Sequence, residues 1–382
     1  MTSHVQLPVR VSKKIYWIAV LLMAPSCFAQ TAISDWSQLH RPNMGRYNPN
    51  ETVLSINSVP KLKLKWSFSA GAEVLTGPSV ANGVVYVGTA FPCFCVTAVN
   101  ARTGVKLWSS AVGSVVFSTP AVANGVVYFG SWDNNVYAMD AKTGATLWSY
   151  PTNAFDSSPA IANGAVYIND LALDGSTGAL IWQRGGQYVS SSPAAANGIV
   201  YFNAFDGNLY AMDASTGAQL WAYSADSGNQ ADESPAVTNG VVYTGTQSGT
   251  VYALDANTGA LIWSQTTGGG IDTSPAVAYQ TVYISSEDGN LYALDAKTGA
   301  LRWSYPMGVV SFSSPAVANG VVYVGDGADQ GAGTIFALNA KTGALLWSYT
   351  VGPMYSSPTV VNGTLYVGSL DGNLYAFGVG DR

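Results

Sequence analysis

The stretch Ser274-Pro275-Ala276-Val277-Ala278, Thr281-Val282-Tyr283-Ile284, Asp288-Gly289-Asn290-Leu291-Tyr292-Ala293-Leu294-Asp295 and Thr298-Gly299-Ala300-Leu301-Arg302-Trp303 decides how the chain folds. Its apolar residues come in short runs rich in β-branched and aromatic side chains, interrupted every few residues by turn formers. That is a strand pattern, because a helix needs an unbroken 3.6-residue period. Four strands follow: A after Ser-Pro, B on the Thr-Val-Tyr run, C on Leu-Tyr-Ala-Leu, and D ending on the tryptophan. Asp-Gly marks the B–C hairpin and Thr-Gly the turn before D.

The unit recurs along the chain. Its proline falls at Pro78, Pro120, Pro159, Pro193, Pro235, Pro275, Pro315 and Pro358, and its tryptophan at Trp66, Trp108, Trp148, Trp182, Trp221, Trp263, Trp303 and Trp347. About forty residues per four-stranded unit is the spacing of a propeller blade. Trp66 precedes the first proline, whereas the last unit stops after its strand C at Leu374-Tyr375-Ala376-Phe377. Residues 61–68 are therefore expected to supply the outer strand of the last blade, which closes the ring and removes a sheet edge. The reading is all-β: an eight-bladed β-propeller over residues 61–382, with residues 30–60 leading into it. The short third unit leaves seven blades as the alternative.

Composition agrees. Charged residues make up 10% of the 382, against roughly a quarter in an ordinary soluble domain. Hydrophobic residues make up 48%, which excludes a disordered chain, and the formal charge of −6 argues against a nucleic-acid binder. Arg10, Lys13 and Lys14, the apolar run 15–24 and the small residues Cys27 and Ala29 read as a secretory signal cut after Ala29, so residues 1–29 are assigned to it. Cleavage would take the charge to −9 by removing those three cations and no acid. Pro25-Ser26 makes a poor lipobox before Cys27. No later segment is apolar enough to span a bilayer.

The run Ala138-Met139-Asp140-Ala141-Lys142-Thr143-Gly144-Ala145-Thr146-Leu147-Trp148, repeated at 253–263 and 293–303, resembles the tryptophan-docking motif of the PQQ-like (quinoprotein alcohol dehydrogenase-like) propeller family. Asp35-Trp36 and Gly45-Arg46-Tyr47-Asn48-Pro49-Asn50-Glu51 resemble the opening of bacterial proteins with such repeats. The resemblance covers nearly all of the mature chain. It implies that the eight tryptophans pack between blades. It also implies one of two functions: a periplasmic alcohol or sugar dehydrogenase using pyrroloquinoline quinone and calcium, or a non-catalytic member of the BamB, outer-membrane-assembly type.

The strand order places D–A connections and B–C turns on one face, the top, and there the units diverge. Blade 1 carries Ala90-Phe91-Pro92-Cys93-Phe94-Cys95, blade 7 an insertion over 326–333, and blade 3 is short around Asn169-Asp170. Three residues before each proline, where strand A enters the channel, stand Leu75, Phe117, Asp156, Ser190, Asp232, Asp272, Phe312 and Tyr355, with Glu233 beside them. Blades 3–6 are polar or acidic here and blades 7, 8, 1 and 2 apolar, so the channel mouth is expected to be half acidic and half aromatic. Such a mouth suits a ligand or peptide with a cationic and an apolar side.

A quinone with three carboxylates needs cationic partners, yet the top-face segments hold a single one, Arg184. The adjacent cysteine pair implied by the family's dehydrogenases is also replaced, by Cys93-Phe94-Cys95. His40 lies outside the blades and serves no Ser-His-Asp arrangement. Asp326 and Asp329 offer oxygen ligands without EF-hand spacing, so no metal is assigned. No catalytic residue is assigned either. Cys93 and Cys95 are a disulfide candidate if Pro92 bends their loop. The sequence is therefore read as an exported, monomeric, non-catalytic scaffold without cofactor. Its top face meets a protein or peptide partner of the cell envelope, BamB-like, with a quinone- and calcium-dependent dehydrogenase as the alternative.

Overall fold

The structure is a computed structural model that describes residues 1, 35–40, 44–152, 156–185, 189, 191–226, 233–308, 311–327 and 331–380. The assigned signal region, Ser190, Asp232 and Asp329 lie outside the described residues. Eight sheets follow one another along the chain, and each has an ABCD antiparallel core. Blade 6, for example, runs Ala276–Ala278, Thr281–Ser285, Asn290–Asp295 and Leu301–Pro306. The short third unit forms a complete sheet of its own, Ala160–Ala162, Ala165–Ile168, Leu171–Asp174 and Leu180–Gln183, which fixes the count at eight. Its B–C hairpin shrinks to Asn169-Asp170, with Asn169 at φ 50°. The ring closes as its offset units require: Lys63–Ser69 pairs antiparallel with Asn373–Gly378, so the first strand is the outer strand of the last blade. No helix among the described residues is long and apolar enough to cross a membrane.

Turn chemistry makes each blade locally determined. Seven A–B turns are Asn-Gly with both residues at positive φ, as at Asn82 (51°) and Gly83 (76°), the form whose twist matches the flanking strands. Blade 6 departs with Tyr279 (φ 51°) and Gln280 (φ 57°). There the Tyr279 hydroxyl accepts the Gly320 N–H at 2.9 Å, and its ring packs edge-on to Tyr47 at 5.2 Å. At the C–D turns an Asp or Asn side chain accepts the next backbone N–H groups. Asp140 takes those of Lys142 and Thr143 and the Thr143 hydroxyl, which hold its carboxyl below the usual range. The tryptophan ending strand D then reaches the following blade. The indoles of Trp66, Trp108, Trp148, Trp182, Trp221, Trp263 and Trp303 donate to carbonyls of the next C–D turn at 2.9–3.2 Å. Each indole lies over that turn's glycine, where a Cβ on Gly259 would come 2.8 Å from Trp221. Trp347 faces the closing blade and packs instead on Phe377, at 5.3 Å.

An element unreadable from the repeats lies against the innermost strands. Residues 35–40 and 44–48 bond to the strands A of successive blades. Trp36 exchanges backbone bonds with Val80, Ser37 accepts from Val122, and the Gln38 side chain accepts from Ile161. Met44, Gly45 and Arg46 accept from Val237, Val277 and Val317, and the Asn48 amide donates to Val360. Among the described residues this strap thus bonds to seven of the eight blades. The reason is elementary: each innermost strand is an edge whose buried N–H groups need acceptors. Arg46 is 1% exposed and donates to four carbonyls, those of Leu39, Ser314, Pro315 and Pro358. Burial lowers its pKa to about 9, so it stays a cation at neutral pH.

Candidate functional site

The site grows out of the dipeptide that opens each strand A, Ser-Pro in six blades, Gly77-Pro78 in blade 1 and Thr119-Pro120 in blade 2. The backbone N–H of Thr119, Ser158, Ser192, Ser274 and Ser314 donates to the serine hydroxyl of the next blade, respectively Ser158, Ser192, Ser234, Ser314 and Ser357, at 2.8–3.0 Å. This necklace fixes the blades to one another around the bore. The D–A connections stand above it, on the face they share with the B–C turns: Trp132 N–H donates to Val115, and Thr152 N–H to Asn134. The A–B and C–D turns meet on the opposite face, where Ala101 N–H donates to Gly83.

Leu75, Phe117, Asp156, Glu233, Asp272, Phe312 and Tyr355 line one cavity of about 410 Å³. Seven of the residues read from the sequence as a channel mouth are thus brought together, by seven different blades. Ser158, Ser192, Ser234, Ser274 and Ser357 of the necklace line it as well, and so does Leu39 of the strap. Blades 7, 8, 1 and 2 contribute an aromatic arc, in which Phe312 stacks on Tyr355 at 5.3 Å and Phe117 lies 5.0 Å from Trp132. Blades 3, 5 and 6 contribute carboxylates. Asp156 accepts the Trp132 indole N–H at 2.8 Å, Asp272 accepts the Gln247 amide, and Glu233 is 1% exposed.

Sequence reasoning missed Trp132, Leu39 and the serines. A signal for Trp132 existed: of the 11 tryptophans eight are the repeat's docking residue, and Trp132 stands outside that register, in a B–C turn where blades 4, 5, 6 and 8 carry Phe205, Gln247, Glu287 and Leu370.

Arg184, expected at the mouth, is not among the residues lining the cavity. Its guanidinium lies over the Tyr210 ring, 3.8 Å from the centroid, and the Tyr210 hydroxyl donates to Asp206 at 2.6 Å. It is held by a cation–π contact on blade 4. The Asp of the B–C turns is likewise structural: Asp133, Asp288 and Asp371 each accept a tyrosine hydroxyl four residues on and a glycine N–H from the preceding connection.

His40, in the strap, is 2% exposed, and burial first and Arg46 second lower its pKa to about 3, so it is neutral. Cys93 and Cys95 are joined by a disulfide with Cα atoms 5.2 Å apart, in a loop whose Phe91 is 73% exposed. Asp326 is 5% exposed and accepts the Thr334 N–H at 2.6 Å; burial raises its pKa. Among the described residues no three His, Cys, Asp or Glu side chains are grouped as a metal site.

The lining can hold a body that is apolar on one side and positive on the other. It does not match a tricarboxylate quinone, because the described lining includes no lysine or arginine and presents three carboxylates.

Comparison with known proteins gives the family. A relative from Gluconobacter oxydans (strain 621H), described as alcohol dehydrogenase (quinone), dehydrogenase subunit, is 36% identical over 216 residues. The match covers 44% of this chain and spans 28% of that protein. Quinohemoprotein alcohol dehydrogenase from Comamonas testosteroni superposes with a TM-score of 0.77 at 17% identity, covering 91% of this chain and 81% of that one. BamB from Moraxella catarrhalis does so with 0.70 at 20% identity, covering 83% and 99%. At these identities the two structures share the fold. The family model described as outer membrane protein assembly factor BamB matches residues 60–185, 169–235 and 206–380, nearly the whole ring. With its eight tryptophan-docked blades, this chain belongs to that PQQ-like repeat family.

Proposed function

We propose that this protein is an exported, non-catalytic propeller that binds a protein or peptide partner of the cell envelope through the well at its top face. The observation that carries this is the convergence of seven side chains, one from each of seven blades, on a cavity with an aromatic arc and an acidic arc. The units keep their A–B and C–D turns nearly uniform and vary on the face that holds this cavity, as expected of a face that meets something. Pull-down from envelope extracts tests it: the native protein is expected to retain a partner that the Asp156→Lys, Asp272→Lys double variant releases. Retention by both forms, with the double variant folded, would remove the well from the interface.

The Gluconobacter relative favours a second reading, a dehydrogenase dependent on pyrroloquinoline quinone and calcium. Its test is reconstitution with both, followed by absorbance and dye-linked alcohol oxidation. A bound chromophore with turnover would replace the first reading. The lining chemistry predicts neither.

A further inference from the structure

The two faces of the ring differ in charge. The D–A connections and B–C turns of the top face hold most of the 22 acidic residues and, of the cations, Arg184. Among the described residues the exposed lysines and arginines stand on the lower face, in the C–D turns and at the lower ends of the strands D. They are also gathered on one side of it. Blade 7 contributes Lys341, blade 8 Lys61, Lys63 and Lys65, and blade 1 Arg102 and Lys106. Blades 3, 4 and 5 have no cation in those segments and carry Asp174, Asp213 and Asp255. Blades 2 and 6 are mixed, with Lys142 and Asp140 in one turn and Arg302 paired to Asp295 at 2.7 Å.

This asymmetry leaves the fold unchanged. A C–D turn needs an oxygen that accepts the next backbone N–H groups, and an amide serves as well as a carboxylate. Asn100 accepts those of Arg102 and Thr103, and Asn339 those of Lys341 and Thr342, as Asp140 does in blade 2. The turns on either side of the ring closure thus keep their hydrogen bonds and lack the negative charge. Two clefts open between blades in this sector. One, of about 590 Å³, is lined by Lys65, Arg102, Asn82 and Asn362, and the other, of about 530 Å³, by Arg302, Lys341 and Asn319. Neither described lining includes a carboxylate. Asp35 and Glu51 bond the Asn82 and Gly363 N–H groups of the first cleft and offset part of the positive charge, although Glu51 is buried. Asp381 and Arg382, outside the described residues, carry opposite side-chain charges.

We propose that the lower face, over the sector from blade 6 through blade 8 to blade 1, docks on a bilayer surface rich in anionic phosphate headgroups. The well is then turned away from the bilayer. Screening lets a chain of formal charge −6 do this. A six-residue strand such as Asn290–Asp295 spans about 20 Å, roughly twice the Debye length near 0.1 M salt. A surface at the lower face is therefore shielded from the acids at the top. Five of the six cations on blades 7, 8 and 1 are lysines. Lysine is depleted from protein–protein interfaces, whereas its hydrated, flexible ammonium suits a fluid headgroup layer. Leu64 and Val105 are exposed among these cations, but Leu180 and Leu261 are exposed on the far side, so charge selects the sector.

The test is flotation of the whole protein with vesicles of phosphatidylcholine alone, or with about 30% phosphatidylglycerol. Binding is expected to the anionic vesicles and not the neutral ones, and should weaken at least about tenfold between about 0.05 and 0.2 M salt. The Asn100→Asp, Asn339→Asp double variant keeps both turns and adds two charges, so it should bind at least about tenfold more weakly. Lys65→Gln with Arg102→Gln gives the same reading without an added carboxylate. Asp213→Asn with Asp255→Asn, on the far side, should change binding less than about twofold. Thermal melts establish that each form is folded. Equal binding to both vesicles, or anionic binding that neither sector variant weakens, overturns the proposal. Capture by poly-glutamate without vesicle binding does so too, and would assign the sector to an acidic protein partner. None of these results bears on what fills the well.

Discussion

The indole nitrogen of Trp132 donates a 2.8 Å hydrogen bond to the carboxylate of Asp156. Trp132 belongs to blade 2 and to the aromatic arc, Asp156 to blade 3 and to the acidic arc, so this bond is the hinge between the two halves of the well. Replacing Trp132 by Phe keeps a ring against Phe117 but removes the donor. Because Trp132 is 43% exposed, the stability cost is expected to stay near or below about 1 kcal/mol. Retention of the envelope partner should nonetheless fall, as the carboxylate loses its fixed orientation. A pull-down beside a thermal melt separates the two effects.

The docking tryptophans predict a contrast between two glycines with nearly the same backbone. Gly240 has φ +78° with open space around its missing Cβ, and Gly259 has φ +71° with the Trp221 ring 2.8 Å from where a Cβ would stand. Gly240→Ala is expected to cost about 1 kcal/mol, from backbone strain alone. Gly259→Ala adds displacement of a buried indole and should cost several times as much, about 3–4 kcal/mol. Equal shifts of the melting temperature would show that the tryptophan is not held by its glycine.

His40 makes stability depend on pH. Its pKa is lowered from 6.5 to about 3 in the folded protein, so between those values the unfolded chain binds a proton that the folded chain does not. The contribution is complete above pH 6.5 and is lost as pH falls toward 3, at up to about 1.4 kcal/mol per unit. Denaturant titrations from pH 7 to 4 should show this slope, and His40→Leu should flatten it. The C–D turn carboxylates act lower: Asp174, held down to about 2 by the Ser176 and Thr177 hydroxyls, protects stability above the usual carboxylate range and loses its effect toward pH 2.

Blade 6 should be improvable at one atom's distance from its sisters. Gln280 sits at φ 57° where seven blades have glycine. Gln280→Gly relieves that strain and leaves Tyr279 bonded to Gly320, so the melt should rise by the equivalent of about 1 kcal/mol. Converting Tyr279 to Asn as well should remove part of the gain, because the 2.9 Å bond and the packing on Tyr47 are lost.

The sequence by itself determined the blades. Their strands, turns and number follow from interactions within about forty residues: alternating apolar runs, Asn-Gly hairpins, Asp-capped Thr-Gly turns and a tryptophan reaching one blade onward. Even the ring's closure was legible, since Trp66 lacks a preceding strand and Phe377 a following one. The two arcs of the mouth could be listed because every blade delivers the same register position to the same place.

Only the tertiary structure decided what that place is. The course of residues 35–40 and 44–48 along the innermost strands depends on hydrogen-bonding needs of strands up to 312 residues away, as in the bond from Asn48 to Val360, and nothing in the strap's own pattern records them. Trp132 joins the well through its contacts with Phe117 and with Asp156 of the next blade. Arg184 instead lies over the Tyr210 ring. Periodicity fixes what each repeat makes of itself, whereas the place of Leu39 in the well and the neighbours of its carboxylates arise where distant segments meet.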